Sequence, residues 1–526
     1  MKKSLVLVLL SIVFVLTLRG IPGNLHPNGT GRDQINPKNT PFDTSLDKGR
    51  YAQTISLVEK QTFNVDEFSE FLKPDLAWYN GHFYPAFPPG PAVLSVPAYL
   101  IGRFFGLAQL FTFATSAFFS VLTVLVIFKI AKKINLSSEA TIFSGVGFAV
   151  CSIAFAYSVT LSAHLISAFI IALCFFISMN IKKGEKNFFR FLLLWLFYSL
   201  NLFIDYPNLF ILFPLLVFSI YKVIDFRKVN DRLKIKFPLD FVYGSISAIL
   251  VLLLFIAYNI HHYSKPIAFT NTYNLKALEI LGVEVDYDNL TNDLFSKRAY
   301  SGRFKNLTQI EKGIYTLLIS HDRGLFFFSP IFLLSIIGFI ICYRKKENYW
   351  IPILLIFLAD LILYASFDDP WGGWGFGPRY LIPSLPLLAI MVGKAFDYIV
   401  EKGLLIQIVI YLLTIYSFGV SLMGALTTNA IPPSVEVTAS GAADNFVVSW
   451  NYLNKGRSSS FLYNLLFKGL ISPIAYFYII FTSISSYFAL LVFVKTAKKR
   501  SEAEEDSAKV EKYLHREGSF TDLQVS

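Results

Sequence analysis

Charge is the first thing this chain lacks. Of its 526 residues only 16% are Asp, Glu, Lys or Arg, against roughly 25% in an average soluble domain. A soluble protein of this length needs polar cover for about two to four domains, and this sequence cannot supply it. Cysteine is equally scarce. Cys151, Cys174 and Cys342 are the only three; each lies inside or at the edge of an apolar run and none forms a C-x-x-C pair, so neither a disulfide framework nor a thiolate metal site is expected. Walker A, H-E-x-x-H, G-x-S-x-G and G-x-G-x-x-G are all missing, which disfavours an ATP-driven transporter half and a soluble nucleotide-sugar enzyme. No internal repeat of about 20–50 residues is visible.

Apolar residues make up 54% of the chain, 53 of them Phe, and the mean hydropathy is +0.53. This is the composition of an all-α polytopic membrane protein. The net charge of +11 sits in short clusters between apolar runs, a pattern of membrane topology rather than of a nucleic-acid groove.

Met1-Lys2-Lys3 followed by Ser4 to Leu18 resembles a signal peptide, but Arg19-Gly20-Ile21-Pro22 follows without a small-x-small site, so the segment reads as an uncleaved first span. Apolar segments of spanning length recur at 107–128, 139–158, 162–181, 238–259, 324–342, 349–367, 380–398, 403–425 and 470–494. Residues 191–221 have basic flanks on both sides, Lys182 to Arg190 before and Lys222 to Lys236 after. Both flanks belong in the cytoplasm, so the segment crosses twice or not at all. As one helix it would measure about 46 Å, and split in two about 23 Å per arm. The expectation is a hairpin of short helices with Asp205-Tyr206-Pro207 at its apex.

About twelve spans result, with both termini cytoplasmic. Lys129/Lys132/Lys133 and Arg344/Lys345/Lys346 fall in short inside loops, as the positive-inside rule asks. The outer face then holds a long first loop, 20–106, a second at 260–323, the short 367–379 and a last at 426–469. Within the first loop, 46–62 and 92–104 read as helices lying along the membrane surface. Residues 1–495 form one module, and 496–526 a charged cytoplasmic tail.

Polar residues with chemical capacity gather on the outer side. Asp47-Lys48-Gly49-Arg50-Tyr51 opens a helix; Asp47 is either a general base or a charge that suits a helix N-terminus. In Asp75 through Pro91, Asn80-Gly81 suits a tight turn and Pro88-Pro89-Gly90-Pro91 fixes the chain before it re-enters the membrane, with His82 and Tyr84 between; an interfacial aromatic belt is the alternative. Ser320-His321-Asp322-Arg323-Gly324 precedes an apolar run. Asp368 to Tyr380 packs four glycines with Trp371 and Trp374 ahead of Arg379, which either reaches lipid headgroups or binds a phosphate. Asp205 at the hairpin apex is costly there and so a functional candidate; His164 reads as a satisfied polar residue of the bundle.

Three of these stretches together resemble the membrane-embedded glycosyltransferases of the GT-C class, specifically the protein O-mannosyltransferase and aminoarabinose-transferase group, family 39 and its relatives acting on lipopolysaccharide core. They are Asp47-x-x-Arg50-Tyr51 through Pro88-Pro89-Gly90, Asp205-Tyr206-Pro207, and Trp371-Gly-Gly-Trp374-Gly-Phe-Gly-Pro378-Arg379-Tyr380-Leu-Ile-Pro383. The resemblance implies a GT-C fold. It also implies transfer of a sugar from a polyprenyl-phosphate donor to a lipid, glycan or protein acceptor on the extracytoplasmic face of the cell membrane. By that resemblance Asp47 is the catalytic acid, and Arg50, Asp75, His82, Tyr84, Asp205, Arg323, Trp374, Arg379 and Tyr380 bind substrate. No cofactor is required, and a divalent metal ion is compatible with the chemistry. The expected partners are the lipid-linked donor, the acceptor and membrane lipids, with no nucleic acid. The chain departs from the family where Lys48, not Glu, follows Asp47, leaving Asp75 as the nearest second acid. Ala86 and Phe87 stand where a basic residue often precedes Pro-Pro. The alternative is a transporter or flippase for a lipid-linked or small polar substrate, which would show internal repeats and polar residues at the bilayer midplane.

The topology makes a direct prediction. Cysteine introduced near residue 75 or 290 reacts with an impermeant thiol reagent added to intact cells, and cysteine near 230 or 510 does not; labelling at 230 from outside would reverse the orientation.

Overall fold

The computed structural model describes residues 3–24, 44–73, 75–229, 232–275, 285–286, 290, 307–437, 441 and 443–494. The charged tail at 496–526 and parts of the first two outer loops lie outside the described residues.

The described chain is almost entirely helical, and six helices are long and apolar enough to cross a membrane: Ala108–Lys133, Ala163–Asn180, Leu239–Tyr263, Arg379–Lys402, Leu404–Leu426 and Pro473–Phe493. The other expected spans are shorter. Lys3–Thr17, Phe188–Ile204, Asn208–Tyr221, Pro330–Arg344 and Trp350–Ala365 are apolar helices below that length. The 139–158 run is interrupted after Val150 and resumes as Ala154–Ser158. The 324–342 run divides into Leu325–Phe328, a single turn at Pro330–Phe332 and Leu333–Arg344, because Pro330 has no N–H to continue a helix. Among the described residues there are thus six helices of spanning length and five shorter apolar ones.

Helix starts follow local chemistry. Ser137, Ser162 and Ser472 are N-caps whose hydroxyls accept the amide N–H groups of Ala140, His164 and Ala475. The hairpin expected over 191–221 is present: Phe188–Ser199 continues through Asn201–Ile204, breaks at Asp205–Pro207 and returns as Asn208–Tyr221. Asn208 anchors the turn from within, its Nδ2 donating to Asn201 Oδ1 at 2.8 Å and Ser167 Oγ at 2.7 Å.

After the first helix, Ser45–Ile55 and Gly90–Phe104 are helical, and they pack on each other. Between them Leu76–Tyr79 and His82–Pro85 pair antiparallel, with Tyr79 opposite His82. Asn80 and Gly81 both have positive φ, 51° and 88°, the geometry of a type I′ turn.

The first helix is built into the bundle. Val6, Leu10, Val13 and Phe14 are buried, and the carbonyl of Leu16 accepts the hydroxyls of Ser460 at 2.7 Å and Tyr476 at 2.9 Å. Close crossings use small residues. Pro330–Arg344 packs on Leu385–Ile399, and a methyl group added at Gly338 would lie 2.1 Å from the Met391 carbonyl oxygen. Ala is the better helix former by about 1 kcal/mol, but here the backbone of the facing helix has to move. Gly338→Ala is therefore expected to destabilise the protein by about 1–3 kcal/mol, read as a lower unfolding temperature in detergent; unchanged or higher stability would mean the two helices separate freely.

Candidate active site

Segments far apart in sequence meet at one end of the bundle. Asp47 lies in the first turn of Ser45–Ile55, and Arg50 one turn further along; both are buried. Arg50 Nη1 donates to the Leu161 carbonyl at 3.2 Å, and its guanidinium lies 5.5 Å from the Phe87 ring centre. Burial pulls the Arg50 pKa down to about 10, with the charge of Arg379 adding to the fall and those of Asp47 and Asp205 opposing it. A value three units above neutrality leaves Arg50 a cation.

Asp205, in the break of the helical hairpin, approaches His164 at the start of Ala163–Asn180: Nδ1 to Oδ2 is 3.9 Å. His164 Nδ1 makes no hydrogen bond among the described residues. Its ring faces Tyr157 and Tyr380 edge-on at 6.3 and 6.4 Å, and it lies within electrostatic reach of Arg379 and Arg50. His164 therefore belongs to the polar cluster, not only to the packing of the bundle.

Arg379 enters from the glycine-rich loop. Its guanidinium sits 5.7 Å from the Tyr380 ring centre, and that ring stacks on Tyr364 at 4.1 Å and 6°. Arg379 Nε has no hydrogen-bond partner among the described residues. Asp75 and Asp369 are close enough to act on it electrostatically. The loop is shaped by Gly372, Gly373 and Gly377, at φ of 70°, 62° and 62°, conformations that side chains other than glycine's strain to adopt. Tyr157 holds its far side, its hydroxyl accepting the Phe376 N–H at 2.9 Å.

Five of the expected site residues, Asp47, Arg50, Asp205, Arg379 and Tyr380, thus converge, with Asp75 at the edge. Others do not join them. His82 is exposed at the tip of the β-hairpin and pairs through Nδ1 with Asp66 Oδ2 at 2.8 Å. Tyr84 is buried in a separate aromatic cluster with Tyr263 and His262, at 5.4 and 5.7 Å; burial pushes its pKa up to about 12. Trp374 is exposed and donates from Nε1 to Glu436 Oε2 at 2.6 Å. The expectation that Arg323 clamps phosphate needs correction: its guanidinium is fully buried and donates to the carbonyl oxygens of Trp371, Asp322, Asp444, Gly373 and Ile431.

Asp360 was missed. It is fully buried in Trp350–Ala365, one turn before Tyr364, facing Ser384 and within electrostatic reach of Asp205. The signal was available: a lone acid in an otherwise apolar helix is expensive and so functional by default. Among the described residues no group of three or more His, Cys, Asp or Glu side chains is arranged to hold a metal ion.

No family model matches the chain, and no curated protein matches it. Solved structures do. The chain is similar to ArnT from Cupriavidus metallidurans in the apo state, at 13% identity and a TM-score of 0.44 over 93% of this chain and 76% of that one. The same protein bound to undecaprenyl phosphate aligns at 13% and 0.43, over 95% and 78%. The archaeal oligosaccharyltransferase AglB from Archaeoglobus fulgidus, in complex with an inhibitory peptide and a dolichol-phosphate, aligns at 12% and 0.44, over 86% of this chain and 59% of that one. Both are GT-C glycosyltransferases. Identities this low carry no residue-by-residue correspondence.

The Tyr157 contact can be tested by itself. Tyr157→Phe keeps the ring but leaves the buried Phe376 N–H without an acceptor, an expected loss of about 1–3 kcal/mol in thermal unfolding. Wild-type stability would mean the loop finds another acceptor.

Proposed function

We propose that the protein is an integral-membrane glycosyltransferase that moves a sugar from a polyprenyl-phosphate donor to a lipid, glycan or protein acceptor on the extracytoplasmic face. One observation carries the reading: a buried carboxylate, Asp47, shares a site with the buried guanidinium of Arg50 and with the half-buried Arg379, supplied by segments more than 300 residues apart. Keeping such groups out of water is costly unless charges compensate one another. The arrangement suits a reaction that takes up one proton and stabilises one departing phosphate.

In that reaction Asp47 accepts the proton of an acceptor hydroxyl. The acceptor oxygen forms a bond to the anomeric carbon of the donor, and the bond from that carbon to the phosphate oxygen breaks with its electron pair on the phosphate. Arg379 and Arg50 neutralise the charge that develops there, an electrostatic contribution made by groups already in position. Asp47 then returns its proton to water. Asp205 keeps Arg50 and His164 oriented toward the site. The stacked Tyr364 and Tyr380 offer an apolar wall to the sugar.

The extracytoplasmic assignment is supported by charge placement. Asp47, His164 and Arg379 stand at the helix ends opposite Lys129/Lys132/Lys133 and Arg344/Lys345/Lys346, the clusters that belong in the cytoplasm.

Purified protein incubated with labelled polyprenyl-phosphate sugars is expected to consume donor and label an acceptor; a flippase would move the donor and leave it intact. Asp47→Asn retains size and helix-start chemistry while removing the base. It should fold, bind donor and turn over roughly 10²–10⁴-fold more slowly. Normal turnover in this variant with a dead Asp75→Asn would move the base to Asp75.

A further inference from the structure

Arg323 makes no contact with the polar cluster, yet it touches the loop that shapes it. Its Nε donates to the Trp371 carbonyl at 3.0 Å, and Nη2 donates to those of Gly373 at 3.1 Å and Ile431 at 3.0 Å. Nη1 donates to the Asp322 carbonyl at 2.7 Å and that of Asp444 at 3.5 Å. A guanidinium has five N–H donors, and here each has a carbonyl oxygen, so none is left for a ligand.

Gly372 lies between the two loop carbonyls that Arg323 holds. A Cβ at this position would sit 3.0 Å from the Tyr380 ring and 3.3 Å from Arg379 Nε. A Cβ at Gly375 would sit 3.2 Å from the Tyr157 hydroxyl and 3.4 Å from Arg379 Cδ. The loop backbone therefore lies directly against Arg379 on one side and is tied to Arg323 on the other. Ile431 closes the arrangement: its carbonyl accepts from both Arg323 Nη2 and the Gly375 N–H, the latter at 3.0 Å.

We propose that Arg323 is a positioning residue of the transfer reaction, fixing the loop Trp371–Gly377 so that the Arg379 guanidinium is held where the donor phosphate binds. The proposal rests on the glycosyltransferase reading of the site. Lysine cannot replace this arginine, because an ammonium on a flexible stem does not span carbonyls arranged around a planar fork. Gly372→Ala disturbs the same loop from the Arg379 side, by strain at positive φ and by contact with Tyr380.

The test measures binding of undecaprenyl phosphate to the detergent-solubilised full chain, together with donor KM and kcat. Arg323→Lys and Gly372→Ala are each expected to weaken phosphate-lipid binding, raise donor KM and lower donor kcat/KM at least about tenfold. The double variant should be little worse than either single one, because both act through one loop. Gly338→Ala serves as the comparison: it lowers the unfolding temperature without touching the loop and should leave binding unchanged.

If Arg323→Lys lowers stability as Gly338→Ala does and leaves phosphate-lipid binding and donor KM unchanged, Arg323 is a brace of the fold and the proposal is overturned. Full additivity in the double variant overturns it too, since the two residues would then act separately. Should Arg379→Lys bind the lipid phosphate normally while Arg323→Lys does not, the effect does not pass through Arg379 and the proposal fails while the reading of the site stands. Wild-type protein that neither binds undecaprenyl phosphate nor consumes any donor removes the glycosyltransferase reading itself.

Discussion

Irregular backbone buried at the end of a helical bundle has to find hydrogen-bond partners within the protein, and the end of this bundle that carries the polar cluster depends on how that is done. Helices satisfy their own carbonyls; the loop 371–377 and the strap 427–433 cannot. Two buried arginines do it for them. Arg19 donates to the carbonyls of Gly424 and Ala425, where Leu404–Leu426 ends, and to Asn429 Oδ1. Arg323 takes the carbonyls of the loop and of Ile431. Asn429 adds its own Nδ2 to the Ala156 carbonyl at 3.0 Å. Each cation meets several oxygen dipoles, and the carbonyls of Trp371, Gly373, Gly424, Ala425 and Ile431 meet a donor, so two unfavourable burials offset one another. At the end of a helix the cation also meets the negative pole of the macrodipole.

The polar cluster is a second consequence of burial. Asp47 and Arg50 share one short helix, and Asp205 and Arg379 arrive from other parts of the chain with charges that alternate in sign around His164. An isolated carboxylate at this depth would keep its proton; beside guanidiniums it can stay ionised. The site thus exists only in the assembled bundle, which is why charged groups on different segments report on one another.

Much of this was legible in the sequence, for local reasons. Asn80-Gly81 specifies its turn because two consecutive positive φ values suit few other pairs. The helical hairpin followed from two basic flanks and a length too short for two full crossings. The glycines before Arg379 marked a loop whose backbone lies against a side chain. The rest depends on contacts that no local pattern encodes. Arg323 looked like Arg379, a cation where an apolar run begins, and only the three-dimensional position of five carbonyls separates their roles. His82 and Tyr84 follow Asp75 in the same stretch, but the β-hairpin carries them away from Arg379, to Asp66 and to Tyr263. Hydropathy reports apolar length and is blind to the breaks at Cys151–Ile153 and Pro330, so these two apolar runs are not single helices.

The attachments of the first helix have a consequence for how the chain is made. Its end is held by the Leu18 carbonyl accepting the Phe461 N–H at 2.9 Å, by Tyr476 and Ser460 on Leu16, and by Arg19 reaching Ala425, 406 residues away. These partners are translated long after the helix emerges. At about 5–20 residues per second, some 400 residues take roughly 20–80 s. Until then the Arg19 guanidinium lacks the Gly424, Ala425 and Asn429 oxygens it donates to in the folded bundle. Closure of this end of the bundle is thus among the last events of biogenesis, since it waits for the segment 424–476 that the first helix is fastened to.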